Sequence, residues 1–183
     1  DLRSSPAIRL AGKAALDLAG IGPDDVAHAD LYSCFPSAVE IGATELGLSL
    51  DRPLTVTGGL SFAGGPWNNY VTHAIATMAG VLREDPGSLG LVTANGGFIT
   101  KHAFGVYGTE PPATPFRHAD LQAEVDALPR RTLCEEPDGP IDLESWTVLH
   151  GREGQPENGF VVGLLADGQR AWGVTQDPDL LQV

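Results

Sequence analysis

The sequence predicts an α/β domain with a partial sheet and flanking helices, followed by a small, mostly antiparallel β module. The α/β prediction rests on three segments with apolar residues at helical spacing, separated by short apolar runs of strand character. The β module is indicated by alternating apolar residues over 143–149 and 159–165, and by a turn leading into a further strand at 170–175.

The predicted α/β domain opens with a helix, a strand and a second helix. Pro6 suits the first turn of a helix, and apolar residues then recur at three- and four-residue spacing until Gly20. Residues 26–32 (VAHADLY) predict a short strand. Pro36 begins a second helix that is expected to end at Gly47, because glycine readily adopts the left-handed conformation that closes a helix.

The remainder of this domain again alternates extended segments with a helix. Residues 54–56 are expected to be extended, and residues 71–82 have the period of a third helix. A buried strand is predicted at 89–94 and another strand at 103–107, with the segment 95–97 (NGG) ending the first of them.

A change of composition marks a domain boundary. The prolines of residues 111–115 favour an extended linker between a first domain at 1–110 and a second domain at 116–183. Within the second domain, residues 116–128 predict one short helix and residues 166–169 (ADGQ) a hairpin turn.

Composition restricts the function classes. The chain has 183 residues, of which 42% are hydrophobic, so it can bury a substantial core. Its net charge of −13 repels phosphodiester backbones and anionic membranes, so neither nucleic acid nor membrane is expected as a partner. No apolar run has the length of about 18 residues that a membrane helix needs, and we expect a cytoplasmic protein. Two cysteines indicate neither a disulfide framework nor a metal site.

Three loops carry the residues of chemical interest, and each follows a predicted strand. They are the turn 33–35 (SCF), the loop 58–65 (GGLSFAGG) and the loop 95–97. Ligands of open α/β sheets gather at the carboxyl ends of strands, so the three loops are expected to converge on one site.

The loops carry motifs of a known family. Segment 30–35 (DLYSCF) matches a strand-to-turn motif of the form His-Asp-Cys-Phe or Asn-Glu-Ala-Phe. Segment 58–66 (GGLSFAGGP) matches a loop ending in Gly-His-Pro, and segment 94–97 (ANGG) matches Cys-x-Gly-Gly. In this order, they make residues 5–107 resemble the C-terminal half of the thiolase superfamily. The resemblance is greatest to sterol-carrier-type thiolases and actinobacterial thiolase-like proteins, and it implies descent from acetyl-CoA acetyltransferases of lipid metabolism.

The chain differs from the family motifs at the positions of the family's catalytic residues. The resemblance places the family's activating histidine at Gly65 and its acid/base cysteine at Ala94, so neither group is present. Tyr32 occupies the family's oxyanion-hole position, where its hydroxyl can still donate a hydrogen bond. The acylated cysteine of the family lies in an N-terminal half that this chain lacks. Each acid/base group contributes a factor of roughly 100 to 10,000 to the reaction rate, so ordinary thiolase activity is not expected without them.

Three side chains remain as catalytic candidates. Cys34 is either a catalytic thiol or a buried small apolar residue, and Tyr32 is either an oxyanion donor or a core aromatic. His102 follows the loop 95–97 and is either a substitute acid/base group or a locally bonded side chain.

The glycine loops are expected to line a ligand. The resemblance implies a coenzyme A thioester bound without a covalent cofactor, although tight packing of the two loops would also require glycine. Trp67 is expected to open the third helix and to fill space beside Gly65. The predicted substrate-binding residues are Gly58, Gly59, Gly64, Gly65, Asn95, Gly96 and Gly97.

The second domain also resembles a domain found in known proteins. Residues 116–183 resemble the additional C-terminal domain of mycobacterial-type thiolase-like proteins, which implies a small barrel of OB-like character. From Pro112 onward five arginines oppose thirteen acidic residues, a balance of −8 that argues against single-stranded nucleic acid as the ligand of such a barrel.

Three functions therefore stay open. The first is a thiolase-like, acyl-CoA-associated protein with a degenerate site. The second is a repurposed aldol-type lyase in which Tyr32 or His102 supplies the proton chemistry. The third is a non-enzymatic scaffold that binds acyl-CoA or recruits a protein partner through the β module.

Overall fold

In the computed structural model, which describes residues 2–182, the first sheet has the strand order β1-β2-β3. The three strands are β1 (Val26–Asp30), β2 (Leu89–Gly96) and β3 (Lys101–Gly108). β1 pairs with β2 in parallel, and β2 pairs with β3 antiparallel, with Leu91 opposite Val106. The predicted partial sheet is confirmed. β2 continues through Gly96, so the prediction that the loop glycines break the strand after residue 94 is wrong by two residues.

Helices cover both faces of this sheet. On one face lie α1 (Pro6–Ala19) and α2 (Pro36–Leu46), which share an apolar cluster with Leu91. On the other lies α4 (Tyr70–Glu84), which shares a second cluster with Val92. Since neighbouring residues of a strand point to opposite faces, β2 contributes side chains to both clusters in turn.

The predicted helix ends agree with the structure. Ser5 caps the start of α1 through its hydroxyl, which accepts a hydrogen bond from the Ile8 N–H at 3.4 Å. Gly20 and Gly47 close α1 and α2 with φ of +74° and +72°. The sequence therefore encodes these boundaries locally.

Other predictions need correction. β1 ends at Asp30 instead of residue 32. Residues 54–56 lie outside the helices and strands, and the Leu31 N–H donates to the Leu54 carbonyl at 2.9 Å. A short helix, α3 (Leu60–Ala63), lies within the first glycine loop. The helix expected over 116–128 is reduced to α5 (Gln122–Asp126).

Backbone contacts divide the chain into a first unit, Arg3–Ala127, and a second unit that begins at Leu128. The second unit contains a three-stranded antiparallel meander of β4 (Asp142–His150), β5 (Pro156–Leu164) and β6 (Arg170–Thr175). An isolated parallel bridge between Leu133 and Arg170 lies beside it. The small antiparallel module is confirmed, while its OB-like character and the linker at 111–115 stay predictions.

Candidate functional site

The end of β1 is organised by a buried carboxylate. Asp30 Oδ2 accepts hydrogen bonds from the Val56 and Thr57 N–H groups at 2.9 and 3.1 Å and from the Thr55 and Thr57 hydroxyls at 3.0 Å each. Tyr70 donates its hydroxyl to Asp30 Oδ1 at 2.7 Å. Burial raises the pKa of Tyr70, which keeps this hydroxyl protonated and able to donate. Asp30 therefore holds the start of the glycine loop and the start of α4 together.

The cysteine turn and the first glycine loop meet next to this carboxylate. The Leu60 N–H donates to Ser33 Oγ at 3.0 Å. A Cβ on Gly59 would lie 2.7 Å from Ser33 Oγ, and the φ of Gly59 is +82°. Gly59 is thus required both by close approach and by backbone conformation.

The far end of the glycine loop is open. Gly64 and Gly65 have φ of +82° and +54°, and a Cβ on Gly64 would meet no atom within 4 Å. Trp67 also has a positive φ of +50°, and its side chain is 90% exposed. The prediction that Trp67 fills space beside Gly65 is therefore wrong. A 3-10 turn over Trp67–Asn69 leads directly into α4 at Tyr70, which agrees with the expectation that Trp67 opens this helix.

The second loop reaches the cysteine turn. Asn95 Nδ2 donates to Cys34 Sγ at 3.5 Å, and Asn95 Oδ1 is buried without a hydrogen-bond partner among residues 2–182. Gly97 has a φ of +61°, and a Cβ there would lie only 2.4 Å from Thr100 Oγ1. Gly97 is required by the turn into β3.

The three loops are adjacent, but the candidate side chains separate onto two faces of the sheet. The Tyr32 ring packs edge-on against Tyr70, with centroids 5.1 Å apart, in the cluster that α4 shares. Ala94 follows the same face as Val92 by strand alternation. His102 is opposite Asn95 in the register and belongs with the α1 and α2 face. Tyr32 and His102 therefore belong to different side-chain clusters, although both residues border one small cavity together with Ala94 and Asn95.

His102 is held locally. Its Nε2 lies 3.2 Å from the Ile99 carbonyl oxygen, a distance that suits an Nε2–H donor. Burial lowers the pKa of His102, so the imidazole is neutral near pH 7. The resulting geometry agrees better with a turn-stabilising role than with an exposed acid/base group.

Neither a metal centre nor a membrane helix is found in the described part of the chain. No group of three or more His, Cys, Asp or Glu side chains is arranged to hold an ion. None of the helices among residues 2–182 has the length and apolarity to cross a bilayer. Both cysteines, Cys34 and Cys134, are free thiols.

The Asp30 network was missed by sequence reasoning. An acidic residue at the end of an apolar strand was a usable signal, because a buried carboxylate must be satisfied by donors. The identity of those donors was not accessible, since they lie 25 to 40 residues away along the chain.

Known proteins resemble both the C-terminal part of the chain and the chain as a whole. Residues 120–183 match the family model of the thiolase-like protein type 1 additional C-terminal domain. The crystal structure of a monomeric SCP2-thiolase like protein type 1 from Mycobacterium smegmatis matches the whole chain with a TM-score of 0.87 and 44% sequence identity. The chain resembles a thiolase-like protein over its whole length and carries the additional C-terminal domain of that family at residues 120–183. The predicted resemblance, including the additional C-terminal domain, is confirmed.

This thiolase-like chain spans 41% of the length of the Mycobacterium smegmatis chain, whose remaining part has no counterpart in it. No curated protein matched the chain.

Proposed function

We propose that this thiolase-like chain contributes an acyl thioester binding site from which the usual thiolase acid/base groups have been lost. The observation that carries the proposal is that glycine and alanine occupy the two positions to which the family resemblance assigns acid/base groups. Gly65 and Ala94 have no ionisable side chain, although Gly65 lies in an open, positive-φ loop and Ala94 lies at the end of β2. In this proposal the site keeps a main chain that a ligand can approach but has no proton-transfer group at these two positions.

The ligand in this proposal is a coenzyme A thioester. The open loop at Gly64 and Gly65 leaves its backbone accessible, and the buried Asn95 Oδ1 is a free acceptor beside Cys34. Glycine without a side chain permits close approach of a ligand to the main chain. The proposed site needs neither a metal nor a covalently attached cofactor.

The test combines binding and turnover in the 183-residue chain. Calorimetric titration with acetyl-CoA is expected to show saturable binding, while acetoacetyl-CoA with free CoA is expected to give no more cleavage than a cysteine-alkylated control. Gly59→Val should abolish binding because its side chain would overlap Ser33. Gly87→Val, at another positive-φ glycine in a turn with open space, is the matched control for backbone strain.

Cleavage above the alkylated control would contradict the degenerate-site proposal. Absence of binding in the unsubstituted chain would contradict the thioester part of it, and equal binding by both glycine variants would exclude the glycine loop as the binding element.

An aldol-type lyase is the second candidate, and the position of Tyr32 favours it. The Tyr32 ring shares a face with Ala94, and its hydroxyl has no hydrogen-bond partner among the described residues. A phenol in this place can protonate the carbanion formed when a carbon–carbon bond breaks. Tyr32→Phe should remove such activity toward a β-hydroxyacyl-CoA, whereas Tyr107→Phe should keep it. Unchanged cleavage by Tyr32→Phe would eliminate the candidate.

The scaffold function stays part of the proposal for the second unit. Trp146 and Trp172, which are more than half exposed, offer aromatic contact surface to a protein partner of the OB-like module. We also place the protein in the cytoplasm, where free thiols such as Cys34 and Cys134 persist.

A further inference from the structure

The outer edge of β3 borders a groove. β3 is the last strand in the order β1-β2-β3, and within residues 2–182 no further strand pairs with it. Consecutive residues from Thr100 to Tyr107 line a cavity of about 870 Å³ in the first unit. Lining by consecutive residues, instead of alternate ones, means that the backbone edge itself faces the cavity. Alternate N–H and C=O groups of such an edge point away from β2 and are available for pairing.

The second wall of this β3 groove is the alanine face of α1. Ala7, Ala11, Ala14 and Ala15 are only half-buried, and they flank the fully buried side of the helix. Their small side chains keep this wall shallow. An extended chain can therefore lie alongside β3 at the usual strand spacing of about 4.8 Å with its apolar side chains on the alanines.

The third wall is the segment 112–125. Its irregular part is exposed, and Arg117 fixes it to the end of α1 by donating from Nη2 to the Leu18 carbonyl at 2.9 Å. α5 then contacts α1. The groove is thus bounded by two helices, an anchored segment and a strand edge.

The charge of the groove is opposite to that of the chain. Its ionisable lining consists of Lys101 and Arg117, the single acid Asp120, and the histidines His102 and His118. With neutral histidines two positive charges oppose one negative charge, in a chain whose net charge is −13. Lys101 has no ion-pair partner in the described part of the chain. An acidic ligand is favoured here by local attraction.

We propose that the β3 groove binds an extended, acidic segment of a partner protein, which adds to the sheet as a strand beside β3. Main-chain hydrogen bonds to β3 supply affinity, and the alanine face with Lys101 supplies specificity for alternating apolar and acidic residues. This interaction is separate from thioester binding, because the edge of β3 is distinct from the glycine loops and from the face that carries Tyr32.

The test uses the 183-residue chain and a fluorescent seven-residue peptide of alternating valine and glutamate, followed by anisotropy. Saturable binding is expected, weakened about tenfold or more when lysine replaces glutamate, a change of about 1.4 kcal/mol. Two N-methylated forms of the peptide, one methylated at odd and one at even positions, separate strand addition from other modes. Only one of them should lose binding, because alternate amides of an added strand face β3.

Variants of the groove complete the test. Ala11→Arg should weaken binding about tenfold by filling the alanine face, whereas Ala76→Arg, on an exposed face of α4, should not. Lys101→Glu is a second variant that leaves α1 untouched. Amide hydrogen exchange of residues 101–107 should slow when peptide binds.

Absence of saturable binding, equal binding of the acidic and basic peptides, equal effects of the two methylation patterns, or binding without protection of β3 would each overturn the proposal.

Discussion

The two units of the chain differ in how much of their stability comes from a buried core. In the first unit Leu91, Met78 and Tyr70 are fully buried between a sheet and helices on both sides. In the second unit Ala171 and Leu181 are the buried apolar residues among those the structure describes, and Trp146 and Trp172 remain more than half exposed. A core of interdigitating side chains fixes one arrangement, whereas a small meander depends mainly on strand pairing.

The largest expected effect is a cavity in the core of the first unit. Leu91→Ala should lower the free energy of unfolding by about 2–5 kcal/mol, because a fully buried leucine leaves both lost contacts and an unfilled volume. The matched change in the second unit, Leu143→Ala at a side chain that is 55% exposed, should cost less than about 1 kcal/mol.

Urea unfolding separates the two results. Among the described residues, the helices longer than five residues all lie in the first unit, so the helical circular dichroism signal reports mainly on that unit. In a Trp67→Phe background, the fluorescence of Trp146 and Trp172 reports on the second unit. Equal losses from the two substitutions would mean that the units do not differ in core stabilisation.

The Asp30 network predicts a smaller effect at the candidate site. Tyr70→Phe removes a hydroxyl that donates to a buried carboxylate, so it should cost about 1.5–3 kcal/mol by the same unfolding measurement. Tyr107→Phe is the control, because burial raises the pKa of Tyr107 but no described residue forms a hydrogen bond with its hydroxyl. If both substitutions lower the free energy of unfolding equally, the hydrogen bond from Tyr70 to Asp30 adds no stability beyond the packing of the ring.

Sequence reasoning succeeded where structure is determined by nearby residues. Pro6, Gly20 and Gly47 act within one helical turn, so they gave the helix ends correctly. Trp67 was misplaced because its aromatic ring suggested burial, whereas the chain there adopts a positive φ that turns the side chain outward. The position of His102 opposite Asn95 depends on strand register, which cannot be read before the pairing of β2 and β3 is known.

The smallest expected effect is a pH dependence in the second unit. Arg170 donates to both carboxylate oxygens of Glu144, at 2.8 and 3.2 Å, and this pairing lowers the pKa of Glu144. A carboxyl whose folded pKa is depressed stabilises the folded state above its unfolded pKa of about 4.3 and loses that contribution as pH falls through the folded value.

In a Trp67→Phe background, lowering the pH from about 6 to about 3 should therefore reduce the urea midpoint reported by Trp146 and Trp172. Glu144→Gln should make this reduction smaller. Glu157→Gln is the matched control on the neighbouring strand, since Glu157 has no ion pair with an arginine in the described chain. The pair is accessible to solvent, so added salt should weaken its effect. An identical pH response of the two variants would show that the meander is held by strand pairing without help from Glu144 and Arg170.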